Sequence, residues 1–310
     1  MSIKKRGLIA AGILAVGALA LSACSSGNPL APGNSAATSG SSGPIVVGSA
    51  AFPENEIIAQ IYTQALQADG VQASIKPNIG QRDAYLAALK DGSIDLVPEY
   101  TGNLLQYYDK NSTAKSADDV YAGLSDALPK GFEVLDRSKA EDKDSYNVTE
   151  TFSQKNNVTS LADLKNASVP LKVAANPEFA QRPYGIPGLK SVYGVNATLV
   201  PISDSGGPNT VKALVDGQVQ LADIYTTTPA IKQNHLVTLA DPQNLIVAQN
   251  VVPLINKSKA SERVSSVLDK VQAALTTEDL IEMNIKSSGS AKESAEQIAK
   301  EWLASKKLFS

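Results

Sequence analysis

From Pro44 onward, short β-branched runs alternate with stretches whose apolar positions recur at helical spacing. Ile45-Val-Val-Gly48 predicts a strand. Ile57, Ile58, Ile61, Tyr62, Ala65 and Leu66 then share one face of a helix predicted over 54–67, which Asp69-Gly70 stops. A second strand is predicted over 71–77, a helix over 83–89 closed by Asp91-Gly92, and a third strand over 94–97. This β-α-β-α-β order predicts a parallel sheet with right-handed crossovers. After a helix over 116–128 and a strand over 132–135, a second series opens. Strands over 171–175, 198–202 and 221–225 alternate with helices over 187–193 and 209–215. Apolar strands over 236–239 and 247–255 follow, then helices over 260–275, 277–285 and 291–308, the last carrying Ile298, Trp302 and Leu303 on a packing face. The expected fold is α/β, with two lobes, each a mostly parallel sheet flanked by helices. Residues 44–145 form the first lobe and 146–246 the second, and 247–310 return to the first.

The two series contain an echo. Residues 88–101 read ALKDGSIDLVPEYT and residues 213–226 read ALVDGQVQLADIYT, the same helix end, turn and strand, each finishing on Tyr-Thr. Open parallel sheets bind ligands off the carboxyl ends of their strands. Tyr100 and Tyr225 occupy those ends, one per lobe, so a cleft closed by the lobes is expected to bring them face to face. Each echoing helix follows a Gly-containing loop, Asn78-Ile-Gly-Gln-Arg82 and Asp204-Ser-Gly-Gly-Pro208. Such a loop can present free backbone N–H groups and a positive helix end to a carboxylate, or serve only as a tight turn.

Composition narrows the chemistry. The chain of 310 residues is 43% hydrophobic and 19% charged with net charge −3, which is ordinary for a globular protein and lacks the basic excess of a nucleic-acid binder. With one cysteine, Cys24, and one histidine, His235, it can form no internal disulfide and no Cys/His metal cluster, and it offers a poor basis for a triad. His235 reads as structural, and no metal or cofactor is expected. Glu99 and Asp95 read as caps or solvated charges rather than as a catalytic pair.

The lone cysteine falls within a leader. Lys4-Lys5-Arg6 precedes a short apolar run over 7–20, shorter than the roughly 20 residues that span a bilayer, and Leu21-Ser22-Ala23-Cys24 follows. That ending resembles a bacterial lipobox, which implies removal of residues 1–23 and lipid attachment to Cys24. Residues 24–43 are mostly Ser, Gly, Ala, Asn, Thr and Pro and read as a flexible tether. The expected product is exported and lipid-anchored at the outer face of a bacterial cytoplasmic membrane.

Gly48-Ser49, Phe52-x-Glu54, Asp95-Leu-Val-Pro-Glu-Tyr-Thr-Gly102, Glu178-Phe179 with Arg182, Gly188-Leu-Lys with Tyr193-Gly194, and Asp223-Ile-Tyr-Thr-Thr227 occur in that order. Together they resemble the substrate-binding proteins of osmoprotectant ABC importers, most of all the ProX-type lipoproteins of actinobacteria. The resemblance implies a two-lobed venus-flytrap fold of the type II periplasmic-binding kind. It also implies a monomeric receptor that performs no chemistry. Such a receptor grips a solute such as glycine betaine, choline, carnitine or proline in an aromatic box and delivers it to a permease with its ATPase subunits.

On the matching positions the resemblance implies ligand roles for Tyr100 with Thr101, for Tyr225, for Tyr146 in Asp144-Ser-Tyr-Asn, and for Arg182, which can alternatively brace Glu178. Three positions depart from the pattern. Gln249 or Asn250 replaces a tyrosine of the return strand, Arg82 adds a cation in the first loop, and Tyr184 follows Pro183 where an acidic pair is usual. These polar changes leave open a different zwitterionic or polyhydroxylated aromatic ligand, with an exported enzyme on this fold as a further alternative.

Overall fold

A computed structural model describes residues 43–288 and 292–309. The leader, Cys24 and all of the tether except Gly43 lie outside the described residues. In chain order the first part comprises β1 (Ile45–Gly48), α1 (Pro53–Ala68), β2 (Ala73–Lys76), α2 (Arg82–Lys90), β3 (Leu96–Tyr100), α3 (Thr101–Tyr108), α4 (Ala117–Ala127) and β4 (Phe132–Val134). The second part comprises β5 (Tyr146–Thr149), α5 (Glu150–Asn156), β6 (Leu171–Ala175), α6 (Ile186–Tyr193), β7 (Ala197–Pro201), α7 (Pro208–Val215), β8 (Leu221–Asp223), α8 (Ala230–Gln233) and β9 (Leu236–Thr238). The chain ends with β10 (Val251–Asn256), α9 (Glu262–Ala274), α10 (Thr277–Ser288) and α11 (Ala295–Lys306).

Two five-stranded sheets result, ordered β2-β1-β3-β10-β4 and β7-β6-β8-β5-β9. The strands expected to be parallel pair in parallel, β1 with β2 and β3, and β6 with β7 and β8. Each sheet is nevertheless mixed, because β10 runs antiparallel to β3 and β4, and β5 antiparallel to β8 and β9. β5 and β10 are the strands by which the chain enters one lobe from the other, so they arrive from the opposite direction. The crossing segments also bond to one another: Ser138 N–H donates to Val251 O at 2.9 Å, Val251 N–H to Ala140 O at 3.0 Å and Asp142 N–H to Gln249 O at 3.2 Å.

The first sheet is buried on both faces, and alternate residues point to opposite sides. Leu96, Val251 and Ile255 join a core against α1, α9 and α11, whereas Val97, Val252 and Leu254 join one against α2, α3 and α4. Ile57, Ile58, Ile61, Tyr62 and Leu66 of α1 are all fully buried, which contributes about 1.5–3 kcal/mol per large apolar side chain. Ile298 and Trp302 of α11 pack on that core, as their spacing predicts.

α3 has no counterpart in the hydrophobic pattern. β3 runs into it with no intervening turn residue, since Tyr100 is still extended and Thr101 is already helical. The return segment satisfies its first amides, Thr101 N–H donating to Asn250 O at 3.0 Å and Asn103 N–H to Gln249 Oε1 at 2.9 Å.

Candidate functional site

The stretch Pro98-Glu-Tyr-Thr-Gly102 assigns a separate task to each residue. Pro98 O accepts from Asn55 Nδ2 at 3.0 Å, and Asn55 Oδ1 accepts from Ala50 N–H at 2.8 Å, which ties the β1–α1 loop to the end of β3. That tie positions Phe52. Glu99 is fully buried and takes both Arg82 Nε at 2.8 Å and an Arg82 terminal nitrogen at 3.0 Å. Tyr85 Oη donates to the same carboxylate at 2.8 Å. Glu99 is therefore half of a buried ion pair, not a cap or a solvated charge as its position suggested. Burial opposes the charge on Arg82, but Glu99, with Tyr85 and Tyr184 beside it, holds the guanidinium pKa well above its ordinary value.

Tyr100 donates its hydroxyl to Glu54 Oε1 at 2.7 Å. Glu54 Oε2 also accepts from Asn284 Nδ2 at 2.7 Å and, across the lobes, from Thr227 Oγ1 at 2.6 Å. Glu54 is buried, and its carboxyl is pushed up by desolvation against the pull of these donors. Gln81 Nε2 donates across the lobes to Ser205 Oγ at 3.3 Å, Lys115 Nζ to Gln243 O at 2.6 Å and Asn284 Nδ2 to Thr227 Oγ1 at 3.1 Å, while Asn103 Nδ2 donates to Asp144 Oδ2 of the crossing segment at 2.8 Å.

Between the lobes lies a cavity of about 60 Å³. Phe52, Tyr85 and Tyr100 line it from the first lobe, and Phe179, Tyr184 and Tyr225 from the second. Tyr100 and Tyr225 both reach the wall, but they do not face each other directly. The Phe52 ring stands between them, 6.1 Å from Tyr100 and 5.6 Å from Tyr225 by ring centroid. A wider hollow of about 710 Å³ lies beyond Phe52, Glu54 and Tyr225, so these side chains partition the space between the lobes.

Of the other predicted positions, Arg82, Arg182 and Tyr184 reach the cavity. Arg182 does not brace Glu178, and it makes no ion pair among the described residues. Tyr146, Thr101, Gln249 and Asn250 sit one layer behind. Tyr146 is buried and packs on Phe179 at 5.5 Å while its hydroxyl donates to Tyr184 O at 2.9 Å. Thr101 Oγ1 accepts from Asn250 N–H at 3.1 Å. Gln249 Nε2 donates to Asn103 Oδ1 at 2.7 Å, so Gln249 and Asn250 build the start of α3 rather than the cavity wall.

The loop 204–208 does not offer its helix end to a guest. Asp204 Oδ2 accepts from Asn209 N–H at 2.6 Å and Thr210 N–H at 3.2 Å, so the chain's own carboxylate occupies the start of α7. Sequence reasoning passed over Phe52, Phe179, Asp142, Asp144 and Asp223 as wall residues. Phe52, Asp144, Phe179 and Asp223 lie within the quoted motifs. Phe52 had a readable signal, because it follows the carboxyl end of a parallel strand as Tyr100 does.

Residues 43–305 match the family described as the substrate binding domain of ABC-type glycine betaine transport systems. The chain belongs to that family. The glycine betaine-binding protein YehZ of Escherichia coli is 28% identical over 255 residues, which cover 78% of this chain and 84% of that protein. A solved structure of apo YehZ from E. coli superposes with a TM-score of 0.61 at 26% identity, over 86% of this chain and 99% of that one. The fold is also that of a glycine betaine/carnitine/choline ABC transporter crystal structure, with a TM-score of 0.68 at 18% identity over 86% of this chain and all of that one. The family consists of solute receptors, and the two-sheet architecture is theirs.

Proposed function

We propose that this protein captures a small methylated ammonium solute, of the kind represented by glycine betaine, choline and carnitine, between its lobes and delivers it to an ABC permease. The observation that carries the reading is the Phe52 ring flanked by Tyr100 from its own lobe and by Tyr225 from the other. A trimethylammonium has no N–H to donate, so ring faces must hold it, each contact contributing about 0.5–2 kcal/mol. A wall assembled from both lobes makes binding and closure one event, and closure is what a permease can sense. Tyr100, Tyr225 and Tyr184 supply ring surface, while Tyr146, Thr101, Gln249 and Asn250 act by positioning the wall. Arg182 is the cation open to a ligand carboxylate, and Arg82 acts through Glu99.

The receptor performs no turnover and works as a monomer, exported by its leader and anchored through a lipid on Cys24. Calorimetric titration with glycine betaine, choline, carnitine and proline tests the solute assignment. Saturable binding of at least one of the three methylated ammonium solutes, recovered unchanged, is expected, and binding of none of the three overturns the reading. Cys24→Ser should release the protein from membranes into the soluble fraction, and retention on the membrane would remove the anchor.

A further inference from the structure

Two motif residues, Glu54 and Thr227, stay out of the ring-lined cavity and meet each other across the lobes instead. Thr227 follows Tyr225 by two positions, is 2% exposed, and donates its hydroxyl to Glu54 Oε2 at 2.6 Å. Its amide N–H donates to Asp142 Oδ1 at 3.1 Å, and Thr226 Oγ1 donates to the same oxygen at 3.2 Å. Thr226 N–H also donates to Lys143 O at 2.9 Å, so the backbone side of this pair is rooted in the crossing segment. The hydroxyl of Thr227 reaches the first lobe. There Asn284 Nδ2 of α10 completes the cluster, 2.7 Å from Glu54 Oε2 and 3.1 Å from Thr227 Oγ1.

Glu54 divides its oxygens between two tasks. Oε1 accepts from Tyr100 Oη at 2.7 Å and so fixes a ring of the wall, while Oε2 takes the donors from Thr227 and Asn284. Glu54 is buried and makes no ion pair among the described residues, so it depends on these hydrogen-bond donors. Moving the second lobe away withdraws Thr227 and leaves Glu54 with donors from its own lobe only. Hydrogen bonds to a carboxylate are among the stronger ones, and a buried acceptor that loses a partner bears the desolvation penalty. Both residues line the wider hollow rather than the ring-lined cavity, so neither stands where the rings would hold a solute.

We propose, resting on the receptor function above, that the hydrogen bond from Thr227 to Glu54 is the latch of the closed receptor, holding the lobes together over the solute and setting how fast it leaves. Thr227 is a positioning residue in this role. Because one carboxyl group serves both Thr227 and Tyr100, the latch also ties closure to the placement of a wall ring.

Stopped-flow release kinetics and small-angle X-ray scattering on the full chain test this. Thr227→Val keeps the shape of the side chain and removes the donor. Release of the tightest binder among glycine betaine, choline and carnitine should quicken about tenfold, with association little changed. The solute-free Val variant should also scatter as a larger particle than the wild type. Thr227→Ser retains the hydroxyl and should behave like the wild type in both measurements, which loss of packing alone would not produce. Asn284→Ala, at a half-buried helix position, should quicken release by a smaller factor, and it carries the test if the Val variant does not fold. Wild-type release in the variant measured, or equal acceleration in Val and Ser, overturns the latch and leaves the receptor function standing. If the wild type binds none of the three solutes, the receptor function fails and scattering alone decides: a Val variant as compact as the wild type then overturns the latch too.

Discussion

Replacing Phe52, which also packs against both cores of the first lobe, probes the cavity wall. Phe52 is half-buried and precedes α1 as its N-cap, where its extended backbone uses no side-chain cap bond, so the helix start does not depend on the ring. Phe52→Ala removes ring contacts at 6.1 Å and 5.6 Å to Tyr100 and Tyr225, together with the face offered to the solute. Ring pairs contribute about 0.5–1.5 kcal/mol each and a cation–π contact about 0.5–2 kcal/mol. Part of the ring-pair loss falls on stability alone. The expected loss of binding is therefore about 2–3 kcal/mol, or roughly 30- to 150-fold in Kd. Phe52→Leu keeps most of the bulk and loses the π face, so about a fivefold to tenfold loss is expected. Phe52→Tyr should bind like the wild type. Titration calorimetry with the tightest solute, beside thermal melts without it, separates binding from folding. Wild-type affinity in both the Ala and the Leu variants refutes the aromatic wall. Full recovery in Leu alone reduces the ring to a space filler.

Glu54→Ala leaves Tyr100, Thr227 and Asn284 without their shared acceptor and should cost about 3–5 kcal/mol in urea denaturation, with Glu54→Gln about half as harmful. Equal losses in the two variants would show that the carboxylate's charge, not its shape, matters. Gly102→Ala would set a Cβ 2.4 Å from Val247 Cγ2 and 2.5 Å from Ala248 O, a backbone atom that cannot move aside, so about 1–3 kcal/mol and a lower Tm are expected. An unchanged Tm would mean that the β3–α3 junction is looser than it stands here. Burial raises the Asp142 and Asp223 carboxyls above their ordinary 3.8, so the folded state binds more protons than the unfolded one there. Stability from these groups is full below that value and is lost as pH rises through the raised pKa values. Asp223→Asn should accordingly flatten the fall in Tm as pH climbs from about 4 toward neutrality. A parallel downward shift at every pH would oppose this assignment.

The architecture was legible in the sequence because its elements carry strong periods. α1 has apolar residues on nearly every inward position, and the Gly and Asp stops at 69–70 and 91–92 fall where the helices end. The mixed character of the sheets was not legible. Local pattern gives a strand's presence but not the direction from which the chain returns, and β5 and β10 take theirs from the crossing between lobes. At the site, the motifs led to residues that line the cavity between the lobes, but not to how those residues are held there. Tyr100 and Tyr146 look alike in sequence, and only packing sends the first to the wall and the second behind Phe179. Gln249 and Asn250 looked like altered ligand contacts because nothing in the hydrophobic pattern announces α3, whose first amides they serve.

The echo between the lobes acquires its meaning from the positions where it fails. The backbones of 88–101 and 213–226 deliver a tyrosine to equivalent strand ends, yet the preceding residue is Glu99 in one and Ile224 in the other. Glu99 fastens Arg82 and Tyr85 beneath Tyr100, and Glu54 fixes the Tyr100 hydroxyl, so the first jaw is hydrogen-bonded in place before any solute arrives. Ile224 only packs in a small core, and the Tyr225 hydroxyl has no such anchor among the described residues. The residues after the tyrosine diverge as well. Thr101 begins a helix within its own lobe, whereas Thr226 and Thr227 reach Asp142 at the crossing and Glu54 of the other lobe. The duplicated unit thus supplies one ring wall tied within its own lobe and one whose following residues bond to the crossing segment and to the other lobe. The two copies differ most in Glu99 against Ile224 and in the partners of the threonines that follow each tyrosine.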